Sequence, residues 1–111
     1  MRIAWVDEDQ EMVATMSGYL REFGLEVVIP PDLSFSPQPD LCVAALEVNG
    51  LALTEEVRAS LPQLPILLYT ATEPELKTIT TLKKQRVHLI DKYAPVGLWI
   101  EKIEMILEPH A

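Results

Sequence analysis

Three acidic residues stand directly after the first apolar run of the chain, RIAWV at residues 2–6. Asp7, Glu8 and Asp9 repel one another when ionised, so they need solvent, a cation or a basic side chain close by. A hard cation such as Mg²⁺ takes oxygen ligands from one or two carboxylates, and water or phosphate completes its shell. Alternatively, the three residues form an acidic loop leading into a helix N-terminus, where negative charge is favoured. If this segment holds a metal, its ligands are Asp7 and Glu8.

Two further polar residues follow apolar runs later in the chain. Thr70 comes after PILLY at 65–69, where its hydroxyl could bond a phosphoryl oxygen or cap the next helix. Lys92 comes after VHLID at 87–91, where its ammonium could pair with a phosphate or with the Asp7 and Glu8 carboxylates. Each residue alone is a common surface feature. The combination of an acidic pair, a hydroxyl and an amine at three strand ends indicates a functional site more specifically than any one of these residues does.

Short apolar runs alternate with segments of helical spacing along the chain. Strands are predicted at 2–6, 26–29, 41–46, 65–69 and 87–91, and helices at 10–23, 51–60, 74–84 and 96–107. This alternation indicates a parallel sheet covered on both faces. Five strands with right-handed crossovers fit the doubly wound, flavodoxin-like α/β order 2-1-3-4-5. By analogy with that topology, the ligand site lies at the carboxyl ends of the first and third strands.

Composition limits the class of protein. A chain of 111 residues favours a single domain spanning 1–111, and a hydrophobic content of 49% argues against disorder. No apolar run approaches the length of a membrane span, the N-terminus lacks the pattern of a secretory signal, and one cysteine, Cys42, excludes a disulfide framework. We therefore expect a cytoplasmic protein without a membrane partner. The net charge of −8 argues against nucleic-acid binding.

Several of these segments resemble the receiver domains of response regulators, the CheY-like family, and the resemblance covers nearly the whole chain. AWVDED resembles the family's first strand with its acidic pair, which maps onto Asp7 and Glu8. GLALTEEVRASLPQLPILLYTA resembles the third helix and fourth strand, and its final Thr-Ala pair maps onto Thr70 and Ala71. LIDKY resembles the fifth strand and places Lys92 at the family's lysine position. The resemblance implies a non-enzymatic domain of two-component signalling.

The stretch DLCVAALEVNG at 40–50 departs from the family pattern. The position of the phosphate-accepting aspartate falls on Ala45, and alanine offers no nucleophile for acyl-phosphate chemistry. The loop that normally follows is shortened to EVNG or little more. Glu47 is the nearest carboxylate, and it could hold a cation or imitate a phosphorylated aspartate. We favour a third interpretation, in which Glu47 is a surface residue of a tight turn.

Two other positions and one segment also depart from the family pattern. Leu89 stands where the family has an aromatic residue that rotates on phosphorylation, and Tyr93 stands where it has a proline. The proline-rich segment 30–39 replaces most of the family's second helix, so we expect that helix to be shortened or absent. Both the position that accepts phosphate in the family and the positions that respond to phosphorylation are therefore altered.

These departures favour a pseudo-receiver that acts by phosphorylation-independent protein–protein interaction, with no cofactor. Two alternatives stay open. One is an atypical Mg²⁺-dependent receiver in which Glu47 or another carboxylate completes the site, and the other is a small-ligand sensor that uses the strand-end crevice. Neither His88 nor His110 stands at metal-ligand spacing from a second histidine or cysteine.

The resemblance also implies a surface for protein contact. Receiver domains often dimerise or dock outputs through their fourth helix, fifth strand and fifth helix, so the expected partner is a protein, and a second copy of the chain is one candidate. We call the corresponding surface here the basic face, and its predicted members are Lys77, Lys83, Lys84, Arg86, Tyr93 and Trp99. The four basic residues could contact an acidic partner, or they could be solvated charges near a helix end. Trp99 could also be a core residue.

Overall fold

Strands and α-helices follow one another along the described chain in the order that the sequence predicts. The computed structural model describes residues 1–6, 9–29 and 38–108, except for the side chains of Val48 and Asn49. Its strands are β1 (Arg2–Val6), β2 (Glu26–Val28), β3 (Leu41–Ala45), β4 (Ile66–Thr70) and β5 (Val87–Asp91). Its α-helices are α1 (Gln10–Glu22), α2 (Leu51–Ser60), α3 (Leu76–Lys84) and α4 (Val96–Leu107), and a π-helical turn at Leu46–Gly50 joins β3 to α2.

The five strands form one sheet in the order β2-β1-β3-β4-β5, and every neighbouring pair is parallel. This confirms the predicted order and the doubly wound α/β fold. Two of the interior strands, β3 and β4, are buried at every residue, which explains why LCVAA and ILLY are apolar throughout. Because the strands are parallel, their carboxyl ends lie along one edge of the sheet.

Most predicted element bounds hold to within one or two residues. The bounds of α2, β5 and α4 are those predicted, whereas α3 begins at Leu76, two residues after the predicted start. Glu75, which was predicted to be helical, has extended backbone with φ −64° and ψ 148° and is the N-cap of this helix.

Helices cover both faces of the sheet and give the domain a two-sided core. On one face, α1 and α4 pack buried residues such as Leu20 and Ile103 against β1, β3 and β4. On the other face, α2 and α3 bury Val57 and Leu82. Cys42 lies in this second layer, where burial raises the pKa of its thiol to about 12. The thiol is therefore protonated and unreactive in the folded protein.

Three aromatic side chains meet in the core beneath α4. The ring centroids of Trp5, Tyr69 and Trp99 are 5.5 to 5.9 Å apart, within the range of favourable aromatic pairs. The indole N–H of Trp5 donates to the Tyr69 hydroxyl at 3.5 Å. Trp99 is only 1% exposed, so its assignment to the basic face is wrong and its assignment to the core is confirmed. It lies on the apolar stripe that α4 turns toward the sheet.

Gly24 ends α1, as the sequence predicts. Its φ is 79°, and its N–H donates to the carbonyl of Arg21 at 3.0 Å. The next N–H, from Leu25, donates to the carbonyl of Leu20 at 3.1 Å. These two bonds define a Schellman C-cap, in which glycine is preferred because it has no Cβ.

Some expectations concern residues outside the described ranges. They include the acidic pair Asp7 and Glu8, the terminal His110, and residues 30–37 of the proline-rich segment 30–39, where the second helix is expected to be shortened or absent. Within the described ranges, none of the helices has the length and apolar character needed to cross a membrane.

The Gly24 cap predicts that one substitution has opposite effects at two glycines. Gly24→Ala should lower the free energy of unfolding by about 1 kcal/mol, because alanine is strained at positive φ. Gly18→Ala is the matched control: Gly18 is exposed inside α1, and an added Cβ there meets no atom within 4 Å. It should raise the free energy of unfolding by about 1 kcal/mol through helix propensity. Urea unfolding followed by fluorescence of Trp5 and Trp99 measures both, and equal effects would contradict the cap assignment.

Candidate functional site

The carboxyl ends of β3 and β4 are neighbours in the sheet. Ala45, the last residue of β3, is paired with Tyr69, so Thr70 lies immediately beyond that pair. The chain then turns directly from Ala45 into the π-helical turn. Gly50 permits this tight turn, because a Cβ at Gly50 would lie 3.0 Å from the Ala45 carbonyl oxygen and 3.4 Å from Leu68 Cδ1. The segment predicted as a shortened loop is therefore a helical turn.

This turn directs the carboxylate of Glu47 toward the end of β4. Its Oε1 atom accepts a short hydrogen bond from the Thr70 hydroxyl and a second bond, at 2.9 Å, from the backbone N–H of Ala71. Glu47 is exposed, as the favoured prediction had it, but its carboxylate is bound to Thr70, a predicted site residue, and to the neighbouring Ala71. The structure thus places Glu47 in the site.

The Thr70 hydroxyl has more than one possible partner. Besides Glu47, its Oγ1 lies 2.7 Å from the carbonyl oxygen of Thr72 and accepts from the Thr72 N–H at 3.3 Å. A hydroxyl has one proton to donate, and a charged acceptor gives the stronger bond, so we assign that proton to Glu47. The alternative prediction that Thr70 caps the following helix is wrong, because the N-cap of α3 is Glu75.

Hydrogen bonding keeps Glu47 ionised. Partial burial by itself would raise the pKa of this carboxyl, but bonds from the Thr70 hydroxyl and from backbone N–H groups outweigh that effect. The net result is a pKa below the ordinary value of 4.5. Glu47 is therefore an anion at neutral pH.

Lys92 lies beside Thr70 and has an acidic partner. Its backbone N–H donates to the Thr70 carbonyl at 2.9 Å, which brings two predicted site residues together. Its ammonium is 3.4 Å from Asp9 Oδ2 and 5.9 Å from the ring centroid of Tyr93. The structure thus pairs Lys92 with Asp9, whereas the predicted partners of Lys92, Asp7 and Glu8, lie outside the described residues.

Asp9 has a second structural role. Its Oδ1 accepts from the backbone N–H of Met12 at 3.1 Å, so it is the N-cap of α1. The Met12 bond, followed by Lys92, lowers the pKa of Asp9 below 3.8 despite opposition from burial. The prediction that this acidic segment precedes a helix N-terminus is confirmed for Asp9. The signal available in the sequence was an aspartate three residues before Met12.

The other members of the basic face lie on the surface. Lys77, Lys83, Lys84 and Arg86 are exposed, and Tyr93 is 74% exposed. Lys83 and Lys84 occupy the last turn of α3, where positive charge is favoured by the helix dipole. Arg86 also has a structural role, since its guanidinium donates to the Pro62 carbonyl at 3.1 Å.

A cleft of about 460 Å³ separates the loop after β4 from α3 and β5. Thr70 and Ala71 line this cleft, and Ile79 and Leu89 contribute apolar surface to it. Leu89 stands where the resemblance expected an aromatic residue. Among the described residues, no three His, Cys, Asp or Glu side chains are grouped closely enough to hold a metal ion.

Arg58 is a structural residue that the sequence did not predict. From α2, its guanidinium donates to the carbonyls of Leu64 at 2.6 Å, Gln85 at 2.9 Å and Arg86 at 3.4 Å. It therefore ties the start of β4 to the turn between α3 and β5. No local signal separates such an arginine from a solvated one, because its acceptors are backbone atoms up to 28 residues away.

No protein-family model matches the chain, and no curated protein matches it. Solved structures do match. The BeF3-activated N-terminal receiver domain of Klebsiella pneumoniae RstA is 22% identical with a TM-score of 0.83, covering 98% of this chain and 100% of that one. The non-phosphorylated HemR receiver domain from Leptospira biflexa is 20% identical with a TM-score of 0.79, covering 99% and 98%. A two-component response regulator from Clostridium difficile is 20% identical with a TM-score of 0.82, covering 96% and 95%. The chain therefore has the receiver fold.

The bond between Thr70 and Glu47 predicts a shift in acidity. Thr70→Val removes the hydroxyl, so the pKa of Glu47 should rise toward 4.5. Stability linked to Glu47 is present above its unfolded pKa and is lost as pH falls through the lower folded pKa, so the variant should lose part of this contribution. The measurement is an NMR titration of the Glu47 side-chain carboxyl carbon. Thr80→Val removes an exposed helix hydroxyl that donates to the Leu76 carbonyl in its own helix, and it should leave the Glu47 titration unchanged.

His88 predicts a separate pH dependence. Burial, followed by the charges of Lys102 and Arg58, lowers its pKa below 6.5, so the folded state favours the neutral ring. The associated stability should be complete above about pH 6.5 and decline as pH falls from there toward the folded pKa, because the unfolded chain binds the proton more tightly. Urea unfolding between about pH 5 and pH 8 tests this. A His88→Gln variant with an undiminished decline would show that another group is responsible.

Proposed function

We propose that this chain is a receiver-like signalling domain that acts without phosphorylation, through contact with another protein. The observation that carries this proposal is Ala45. It ends β3 at the position where the resemblance expects the phosphate-accepting aspartate, and its methyl group offers no oxygen nucleophile. The proposal includes a cytoplasmic location and no enzymatic activity.

Two further observations support the proposal. The Thr70 hydroxyl and the Ala71 N–H already bind the carboxylate of Glu47, and the Lys92 ammonium is paired with Asp9. In a phosphorylated receiver, the resemblance would give the hydroxyl and the lysine to the phosphoryl group. Here these groups have partners within the chain.

The proposed contact surface is the basic face without Trp99. Lys77, Lys83 and Lys84 project from α3 of a chain whose net charge is −8, so this surface is positive on an otherwise acidic molecule. Two large apolar side chains, Leu76 and Tyr93, are 78% and 74% exposed in the same part of the chain. A surface that carries both cationic and exposed apolar side chains suits an acidic protein partner, and a second copy of this acidic chain is one candidate.

The alternative of a Mg²⁺-dependent receiver that uses Glu47 has less support. Oε1 of Glu47 is surrounded by O–H and N–H donors, and the positive ends of these dipoles oppose a cation. The cleft beside Thr70 keeps a small-ligand sensor as the other candidate.

Phosphorylation is tested by incubating the chain with acetyl phosphate and Mg²⁺ and measuring its intact mass. We expect no phosphoryl adduct, whereas a conventional receiver domain treated in parallel should be modified. An adduct on this chain that is lost in Glu47→Gln would instead establish the Mg²⁺-dependent alternative.

Self-association is tested by sedimentation velocity over a range of protein concentrations. If the basic face contacts a second copy, Lys83→Glu should weaken dimerisation by about tenfold, because one desolvated charge pair accounts for 1 to 2 kcal/mol. Arg21→Glu is the matched control, since Arg21 also lies in the last turn of a helix but on α1. A monomer at all concentrations, or equal effects of the two variants, would exclude a second copy as the partner of this face.

A further inference from the structure

Two hydrogen-bond donors from adjacent residues converge on one oxygen atom. The Thr70 hydroxyl and the Ala71 backbone N–H both reach Oε1 of Glu47. Thr70 is 8% exposed and ends a central strand, so its donor is held in place by the sheet. Fixed hydroxyl and amide donors aimed at one point are the usual way in which proteins bind an oxyanion.

The ligand of these donors comes from elsewhere in the chain. Glu47 is 23 residues from Thr70 and reaches it from the π-helical turn after β3. Glu47 is also exposed, so burial of its own side chain does not hold the carboxylate there. What holds it is the pair of charge-assisted bonds, each of which is stronger than a bond between neutral groups.

Thr70 has a second acceptor for its proton when no anion is present. Its hydroxyl also lies 2.7 Å from the Thr72 carbonyl oxygen, so the same proton can be donated within the loop that follows β4. Both acceptors lie within reach of the hydroxyl in the one structure. Loss of the anion would therefore leave the Thr70 hydroxyl bonded, whereas the Ala71 N–H would lose the carboxylate that it binds.

We propose that Thr70 and Ala71 form an oxyanion-binding site whose resident ligand is the chain's own Glu47 carboxylate. Glu47 holds the loop after β4 in its anion-bound arrangement without any external anion. This inference deepens the proposed function, and its meaning for signalling rests on that function. It explains how the loop after β4 stays in the anion-bound arrangement without a phosphoryl group. Residues 70–72 line the cleft beside α3, so the bound carboxylate also sets the shape of that cleft.

The proposal predicts that removing the carboxylate opens the site to small external anions. In Glu47→Ala, the backbone amide resonances of Ala71 and Thr72 should move. They should then return toward their wild-type positions, saturably, as acetate or inorganic phosphate is added at constant ionic strength. Wild-type protein should show at least tenfold weaker apparent affinity for either anion, because Glu47 competes at the site. The measurement is a series of ¹H–¹⁵N correlation spectra to about 100 mM anion, since two hydrogen bonds give weak binding.

Two variants complete the experiment. Glu55→Ala removes an exposed glutamate from α2 and should behave as wild type, which controls for net charge. Glu47→Gln keeps a side-chain oxygen that can accept both bonds, so its Ala71 resonance should stay nearer the wild-type position than that of Glu47→Ala. It also keeps the test available if Glu47→Ala does not fold.

Three results would overturn the proposal. They are an unmoved Ala71 resonance in Glu47→Ala, movement that neither anion reverses, and equal anion affinity in wild type and Glu47→Ala. If Glu47→Ala does not fold, an Ala71 resonance in Glu47→Gln at the unbonded amide position with no response to anions also overturns it. None of these results depends on acetyl phosphate or on a partner. Phosphorylation of the wild-type chain would overturn the proposed function. The anion titration would still test the oxyanion-binding site independently.

Discussion

The parallel register between β3 and β4 is the constraint on which the site depends. Pairing Ala45 with Tyr69 places the residues that follow each strand at the same edge of the sheet. A helical turn on one side and a short loop on the other then bring Glu47 and Thr70 into contact. A slip of one residue in this register would turn Thr70 to the opposite face, because side chains alternate along a strand.

Beneath this edge, the aromatic cluster gives the site a rigid base. Tyr69 precedes Thr70 and packs against Trp5 from β1 and Trp99 from α4. All three rings are at most 1% exposed, so movement of the end of β4 would disturb closely packed core side chains. The donors of Thr70 and Ala71 are therefore preorganised, whereas their ligand, Glu47, lies on the exposed side.

The polar groups at the strand ends are paired with one another across the described part of the chain. Glu47 receives bonds from β4 and the residue after it, and Lys92 binds Asp9 at the start of α1. Each pair joins an anion to a donor or cation from a distant element, which lowers the local cost of gathering these groups at one edge. Such internal pairing connects the described polar residues at this edge of the receiver fold to one another.

The sequence by itself determined the elements and their order. Apolar spacing marked α2, β5 and α4 at their observed bounds, and Gly24 marked the end of α1, because periodicity and capping act over a few residues. The alternation of strands and helices likewise predicted the 2-1-3-4-5 sheet. These features depend on local geometry and on rules of chain connection that hold for any such sequence.

Only the tertiary structure decided where particular side chains point. The sequence was compatible with Trp99 on the surface or in the core, and with Glu47 in solvent or against Thr70. Packing of α4 decided the position of Trp99, and the tight turn permitted by Gly50 decided the position of Glu47. The partners of Lys92 and Arg58 were open for the same reason, since they lie up to 83 residues away in the chain. Contacts at that separation depend on how all the elements pack together, and this packing cannot be inferred from local sequence patterns.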